Sequence, residues 1–268
     1  MSTAAYQTIA VGTAGGVCTV TLNRPESLNS LNDQLTTELA NVIKQLKRDD
    51  RIRCVVLTGA GRAFCSGQDL GELKTKYSNP EFVPHLLDDL RRRYNPVITG
   101  LRDLEKPVIA SLNGVAAGAG ASIALACDMR IASEKASLIQ VFINVGLVPD
   151  SASTFFLPRL VGLGKALELC FTGDKVGAEE ALRLGLVNKV VPAEQLAAAT
   201  SELANRLARL PTRAIGLTKR LLNRALNSDL EAQLDAEAFA QETAGQTADH
   251  REGVLAFFEK RPPSFQGK

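Results

Sequence analysis

The chain has no tryptophan, only two methionines and only two histidines. His85 and His250 have no cysteine or carboxylate at ligand spacing, so nothing suggests a histidine-based zinc site. Cysteines 18, 54, 65, 127 and 170 are odd in number, irregularly spaced and mostly set in apolar runs, and no CxxC pair occurs. That argues against a disulfide framework and for free thiols in a reducing compartment. A surplus of one charge sign is also missing. The formal net charge of +2 is too small to call for a nucleic acid or a membrane surface as partner. No apolar run approaches the length of a membrane span. Met1-Ser2-Thr3-Ala4-Ala5 carries no basic region, and Gln266-Gly267-Lys268 is not a peroxisomal address. Together these absences predict a cytoplasmic protein.

What is present is ordinary for a globular protein with a sizeable core: 45% hydrophobic and 22% charged residues. A length of 268 residues allows one large domain or a core with an appendage. Val17-Cys18-Thr19-Val20-Thr21-Leu22 reads as a strand ended by Asn23-Arg24-Pro25. Apolar positions at Leu35, Leu39, Val42, Ile43 and Leu46 predict a helix over about 32–47. Strands are expected at 55–57, 107–112, 129–132 and about 137–142, with helices near 119–127 and after Pro149-Asp150. This strand–strand–helix order indicates α/β layering. From about 160 onward strands are expected to stop. Short and long helices follow, including one over about 193–209 and one opened by Ser228-Asp229-Leu230-Glu231 with the stripe Leu230, Leu234, Ala238 and Gln241. The expected division is a core over 1–195 and a helical region over 196–268, the latter suited to covering a neighbouring subunit. The polar stretch from Gly71 to about Arg93 is the candidate for a mobile, substrate-covering segment. Its Arg91-Arg92-Arg93 run reads as a solvated helix face or a contact for a ligand phosphate.

Two bends carry the chemistry. Phe64-Cys65-Ser66-Gly67-Gln68-Asp69-Leu70 and Asn113-Gly114-Val115-Ala116-Ala117-Gly118-Ala119-Gly120 each follow a strand and lead into a helix start. Small residues let a ligand atom approach the main chain, and an N–H at a helix opening favours an anion. Two such donors converging would form an oxyanion hole. The alternative is that Gly67, Gly118 and Gly120 serve only tight helix–strand packing. Asp150 would be the one ionisable group needed beside the hole. Taken alone, it reads first as an N-cap with Pro149 before it, and only second as a catalytic acid. The apolar approach through Val141, Phe142, Ile143, Val145, Leu147 and Val148 would raise its pKa and suit it to proton transfer.

The chain resembles the crotonase (enoyl-CoA hydratase/isomerase) superfamily over nearly its full length. The resemblance runs from Leu22-Asn23-Arg24-Pro25-Glu26 through both bends and Thr172-Gly173 and Gly185-Leu186-Val187 to Arg251-Glu252-Gly253-Val254-Leu255-Ala256-Phe257. It implies an α/β fold with a ββα spiral core, a helical C-terminal trimerisation region, and a homo-oligomer that is a trimer or a dimer of trimers. It implies an acyl-CoA thioester as substrate, with no separate cofactor and no metal. The thioester oxygen would sit between the N–H groups of Gln68 and Ala119. Coenzyme A contacts are expected at Ala63, Ser66, Gln68, Asp69, Leu70 and Gly71, with Arg24 either near the phosphates or a solvent-exposed turn residue, and further substrate or coenzyme A contacts at Gly118, Ser122 and Phe142. Hydratases of the family place glutamates at the positions that are Ser122 and Phe142 here. The departure disfavours hydration and leaves Asp150 as the proton-transferring acid of an isomerase. Such an isomerase would move a proton on a ring-epoxide thioester, opening it towards an oxepin, or shift a 3-enoyl to a 2-enoyl thioester. The alternatives are a hydratase using Asp150 and a second group, a dehalogenase-like enzyme suggested by Asp150-Ser151-Ala152-Ser153-Thr154, and a non-catalytic RNA-binding or structural member.

Overall fold

The computed structural model describes residues 6–268; Met1–Ala5, read above for targeting, lie outside the described residues. The chain opens with an antiparallel pair, β1 (Ile9–Ala14) and β2 (Val17–Leu22). Helix α1 (Asp33–Arg48) follows, capped by the Asn32 side chain, which accepts the Leu35 N–H. The apolar stripe of α1 is buried as its spacing requires.

Three spiral turns come next. The first is β3 (Cys54–Gly59), β4 (Ala63–Cys65), and then α2 (Leu70–Tyr77), α3 (Leu86–Asp89), a π-helical turn (Leu90–Tyr94) and α4 (Asn95–Asp103). The second is β5 (Val108–Leu112), β6 (Val115–Ala117) and α5 (Ala119–Ala126). The third is β7 (Met129–Ser133), β8 (Ser137–Ile139), a 3-10 turn (Val141–Val145), α6 (Ser153–Val161) and α7 (Leu163–Thr172). Each turn gives its first strand to a six-stranded sheet ordered β1-β2-β3-β5-β7-β10 and its second to a four-stranded sheet ordered β4-β6-β8-β9. This is the ββα spiral that the family resemblance implies.

The end of the chain departs from expectation. Strands do not stop at 160: β9 (Lys175–Gly177) pairs antiparallel with β8, and after α8 (Ala178–Arg183) β10 (Lys189–Val191) joins β7 in parallel. Each is three residues long, too short for a periodicity to show. The expected strand over 137–142 ends at Ile139, because Val141–Val145 winds into the 3-10 turn. Four helices remain: α9 (Leu196–Ala208), α10 (Thr212–Ala225), α11 (Leu230–Gly245) and α12 (Ala248–Phe258). The cap of α11 is Asp229, accepting the Ala232 N–H, rather than Ser228. Its residues Leu230 and Leu234 are exposed, so the expected stripe is not buried within one chain.

The large sheet is covered on both faces, which is why β3 and β5 are buried at successive positions. Side chains alternate between faces. Val55, Leu57, Val108, Ala110 and Leu112 face the main core, whereas Cys54, Val56, Ile109 and Ile131 face Leu196, Ala204 and Ala208 of α9. Helix α9, which follows the expected division at residue 195, thus packs directly on the large sheet. Helix α10 is tied in by Lys219, whose buried ammonium donates to the Asp128 carboxylate at 2.9 Å and the Leu101 carbonyl at 2.8 Å. Asp128 also accepts the Val108 N–H at 2.8 Å.

Candidate active site

The first bend leaves β4 at Cys65. Gly67 has φ +92, and a Cβ there would lie 2.8 Å from the Ala117 carbonyl oxygen and 3.7 Å from the Ala119 nitrogen. Only glycine fits, and the two bends are in contact. Leu31 forms a single parallel bridge with Gln68: its N–H donates to the Gly67 carbonyl at 2.7 Å, and its carbonyl accepts the Asp69 N–H at 3.2 Å. The Gly67 carbonyl and the Gln68 N–H belong to one trans peptide and point opposite ways. The Gln68 N–H is therefore turned away from Leu31, and it has no acceptor among the described residues.

The second bend is set by Gly118, with φ +50, whose N–H donates to the Ile139 carbonyl at 2.9 Å. Ala119 is the first residue of α5, so its N–H has no partner within the helix and sits at the positive dipole end. Gly120 has a packing role as well: a Cβ there would fall 2.4 Å from the Cys65 carbonyl oxygen. The packing reading thus holds at Gly120. The ring of Phe142 lies 3.7 Å from where a Cβ on Gly118 would stand.

The acid lies one helical turn along. Ser122, on the Ala119 side of α5, is fully buried, and its hydroxyl is 3.2 Å from the carbonyls of Gly118 and Asp150 and 2.7 Å from the Ser153 hydroxyl. Ser153 in turn donates to Gln140 Oε1 at 3.0 Å. Ser122 thereby anchors the main chain of residue 150. Asp150 is not a side-chain cap. Helix α6 begins at Ser153, after Ser151 and Ala152 at φ +50 and +64. The Asp150 carboxylate accepts only the Ser151 hydroxyl, at 2.8 Å. Burial raises its pKa, opposed in part by that hydrogen bond. The expected apolar approach is only partly closed in one chain: Phe142 is buried, but Ile143, Val145, Leu147 and Val148 are exposed.

The remaining expected residues surround the first bend. Asp69 caps α2 by accepting the Gly71 and Glu72 N–H groups at 2.9 and 3.2 Å, and it pairs with Arg24 at 2.7 Å. Burial alone would raise its carboxyl pKa, but hydrogen bonds from Arg24, the Glu72 N–H and Ser30 outweigh it and hold the group below its ordinary value. Arg24 is therefore half-buried and built into the bend, not a solvent-exposed turn residue. The Ala63 carbonyl is taken by the amides of Asn29 and Asn113, and the Ser66 N–H by the Leu28 carbonyl. Leu70 and Gly71 are exposed at the start of α2.

Sequence reasoning missed three residues: Gln140 and Ser153, which complete the serine network, and Tyr94. The Tyr94 hydroxyl donates to Gln68 Oε1. Burial raises its pKa, the Arg93 charge opposes, and the Asp150 charge adds to the rise, so acid and phenol share one neighbourhood. The available signal was position: Tyr94 is the sole aromatic between Phe82 and Phe142. Nor is the Arg91-Arg92-Arg93 run a wholly solvated face, since Arg93 is 3% exposed.

Residues 12–268 match the enoyl-CoA hydratase/isomerase family. The chain is 47% identical over 253 residues to the 1,2-epoxyphenylacetyl-CoA isomerase of Escherichia coli K12, covering 94% of this chain and 96% of the relative. It is 39% identical over 248 residues to the short-chain-enoyl-CoA hydratase of Clostridium acetobutylicum, covering 92% and 93%. Among solved structures, an enoyl-CoA hydratase from Bacillus anthracis superposes with a TM-score of 0.91 at 36% identity, over 98% of this chain and 100% of that one.

Proposed function

The chain belongs to the enoyl-CoA hydratase/isomerase family, and within it we propose that this protein is a CoA-thioester isomerase. The acyl-CoA carbonyl oxygen accepts the N–H groups of Gln68 and Ala119. Asp150 removes a proton from the carbon next to the carbonyl. Negative charge moves onto the oxygen, where each donor is typically worth roughly 3 kcal/mol. The proton returns to another carbon and the electron pair shifts, so product and substrate have the same composition. On a 2-(1,2-epoxy-1,2-dihydrophenyl)acetyl thioester, the enolate electrons open the ring towards the oxepin. On a 3-enoyl thioester, the double bond moves to the 2,3 position.

One observation carries this: neither Ser122 nor Phe142 supplies a carboxylate beside Asp150. Hydration requires a second group to activate water. At Ser122 the hydroxyl is buried and already engaged, and Phe142 has no proton to exchange. Burial of Asp150 favours its neutral form and makes the ionised form a stronger base, as proton abstraction from carbon needs. The likeness to an epoxyphenylacetyl-CoA isomerase supports the choice of acyl group.

The working state is a homo-oligomer, a trimer or a dimer of trimers, in the cytoplasm. The exposed Leu230, Phe239, Phe257 and Phe258 of α11 and α12 support subunit contact. No helix among the described residues is long and apolar enough to cross a membrane.

The test sets three thioesters side by side. The epoxide is expected to give the oxepin, and a 3-enoyl-CoA the 2-enoyl product, with crotonyl-CoA hydrated far more slowly. Hydration of crotonyl-CoA at a rate matching isomerisation would overturn the assignment in favour of a hydratase.

A further inference from the structure

Residues 90–94 form a π turn, a geometry uncommon in proteins and concentrated at functional sites. It turns Arg93 and Tyr94 inward although Arg91 and Arg92 are exposed. Arg93 Nη2 donates to the Leu31 carbonyl at 3.3 Å, and its guanidinium pairs with Asp33 at 2.9 Å and Glu72 at 3.4 Å. Tyr94, 4% exposed, donates its hydroxyl to Gln68 Oε1. Leu31 and Gln68 are the two members of the bridge that aims the Gln68 N–H. Two consecutive residues of the turn therefore grip opposite sides of that bridge.

The grip has a physical purpose. A lone bridge is not a ladder, and the residue before Gln68 is a glycine whose torsions no Cβ restrains. The peptide that presents the N–H is held on the main chain by one hydrogen bond, from the Leu31 N–H to its carbonyl, and side chains must supply the rest of the restraint. Displacing such a group by about 1 Å costs on the order of a hundredfold in rate. We propose that Tyr94 is a positioning residue for the Gln68 main-chain donor, acting through the Gln68 carboxamide, while Arg93 braces Leu31 from the other side. The proposal rests on the oxyanion role given above to Gln68.

Tyr94→Phe keeps the buried ring and removes only the hydroxyl; Gln68→Met removes the acceptor. Each should lower kcat about tenfold, with KM within twofold of the wild type, and the double variant should be no worse than the poorer single one. A second readout needs no turnover: the carbonyl stretching band of a saturated acyl-CoA labelled at the thioester carbon. Binding to the wild type should lower its frequency, and binding to Tyr94→Phe should lower it less. Unchanged kcat and an unchanged band in Tyr94→Phe, or additive losses in the double variant, would overturn the positioning role. A band that does not move in the wild type would remove the oxyanion site itself, and the positioning role with it.

Discussion

The hydroxyl of Ser122 lies 3.2 Å from the main-chain carbonyl of Asp150, so the helix that presents the Ala119 N–H also holds the segment that presents the acid. The proposed donor and the proposed base are thereby tied to one rigid element. Ser122→Ala leaves the Asp150 carbonyl and the Ser153 hydroxyl each one partner short, with a stability cost of about 1–3 kcal/mol for buried polar groups. Urea denaturation should report that loss, and kcat should fall while thioester binding persists.

Asp150→Asn retains the shape of the side chain but cannot take a proton. Turnover should drop by roughly 10²–10⁴-fold, with the dissociation constant for a saturated acyl-CoA nearly unchanged. Steady-state kinetics and calorimetric titration check the two halves. Retained turnover would assign the base elsewhere.

The pH dependence has a defined sign. Burial raises the Asp150 pKa in the folded chain, so kcat/KM should climb with pH through an inflection above that of an ordinary aspartate. In Asp150→Asn that inflection should disappear.

The same shift works against stability. A carboxyl group whose folded pKa exceeds its unfolded value binds protons more readily in the native state. Its contribution favours folding most below the unfolded value and is lost as pH rises through the folded one. Asp150→Asn should therefore melt higher than the wild type at neutral pH, and the gain should shrink on acidification. Melting curves across that range decide it.

Gly120 and Gly164 make a contrasting pair. A Cβ at Gly120 would meet the Cys65 carbonyl at 2.4 Å and its sulfur at 2.8 Å, whereas one at Gly164 meets nothing within 4 Å. Gly120→Ala should cost about 1–3 kcal/mol by overpacking, displace α5 from β4 and depress kcat. Gly164→Ala should be neutral or stabilising by about 0.5 kcal/mol, with kcat unchanged.

Phe257→Glu with Phe258→Glu tests the subunit contact. Both rings are at least 75% exposed in the single chain, so charge there costs the fold little. Sedimentation should show a wild-type oligomer and a variant reduced to smaller species.

Much of the core and both bends were legible because their signals are local. A stripe such as Leu35-Leu39-Val42-Leu46 fixes a helix, and a glycine pair after an apolar run marks a strand–helix bend. What stayed hidden depends on partners far away in the chain. β9 and β10 are strands only because β8 and β7 offer edges. Arg93 looks like part of a solvated basic run until Asp33, Glu72 and Leu31 close on it. The part of Ser122 follows from residues 28 and 31 positions downstream, and that of Tyr94 from one 26 positions upstream. Asp150 could be placed beside the bends from sequence, but not separated from a cap, because the two left-handed residues after it shift the helix start to Ser153.

The ammonium of Lys219 has a consequence for how the molecule comes apart. Peeling α10 away would strand that cation's partner, Asp128, at the edge of β7 and take a contact from the carbonyl of Leu101, in α4. Such a rupture exposes half-matched charges without releasing the core, so partial detachment is disfavoured at every step. Heating should accordingly dismantle helices and spiral together in a single cooperative event.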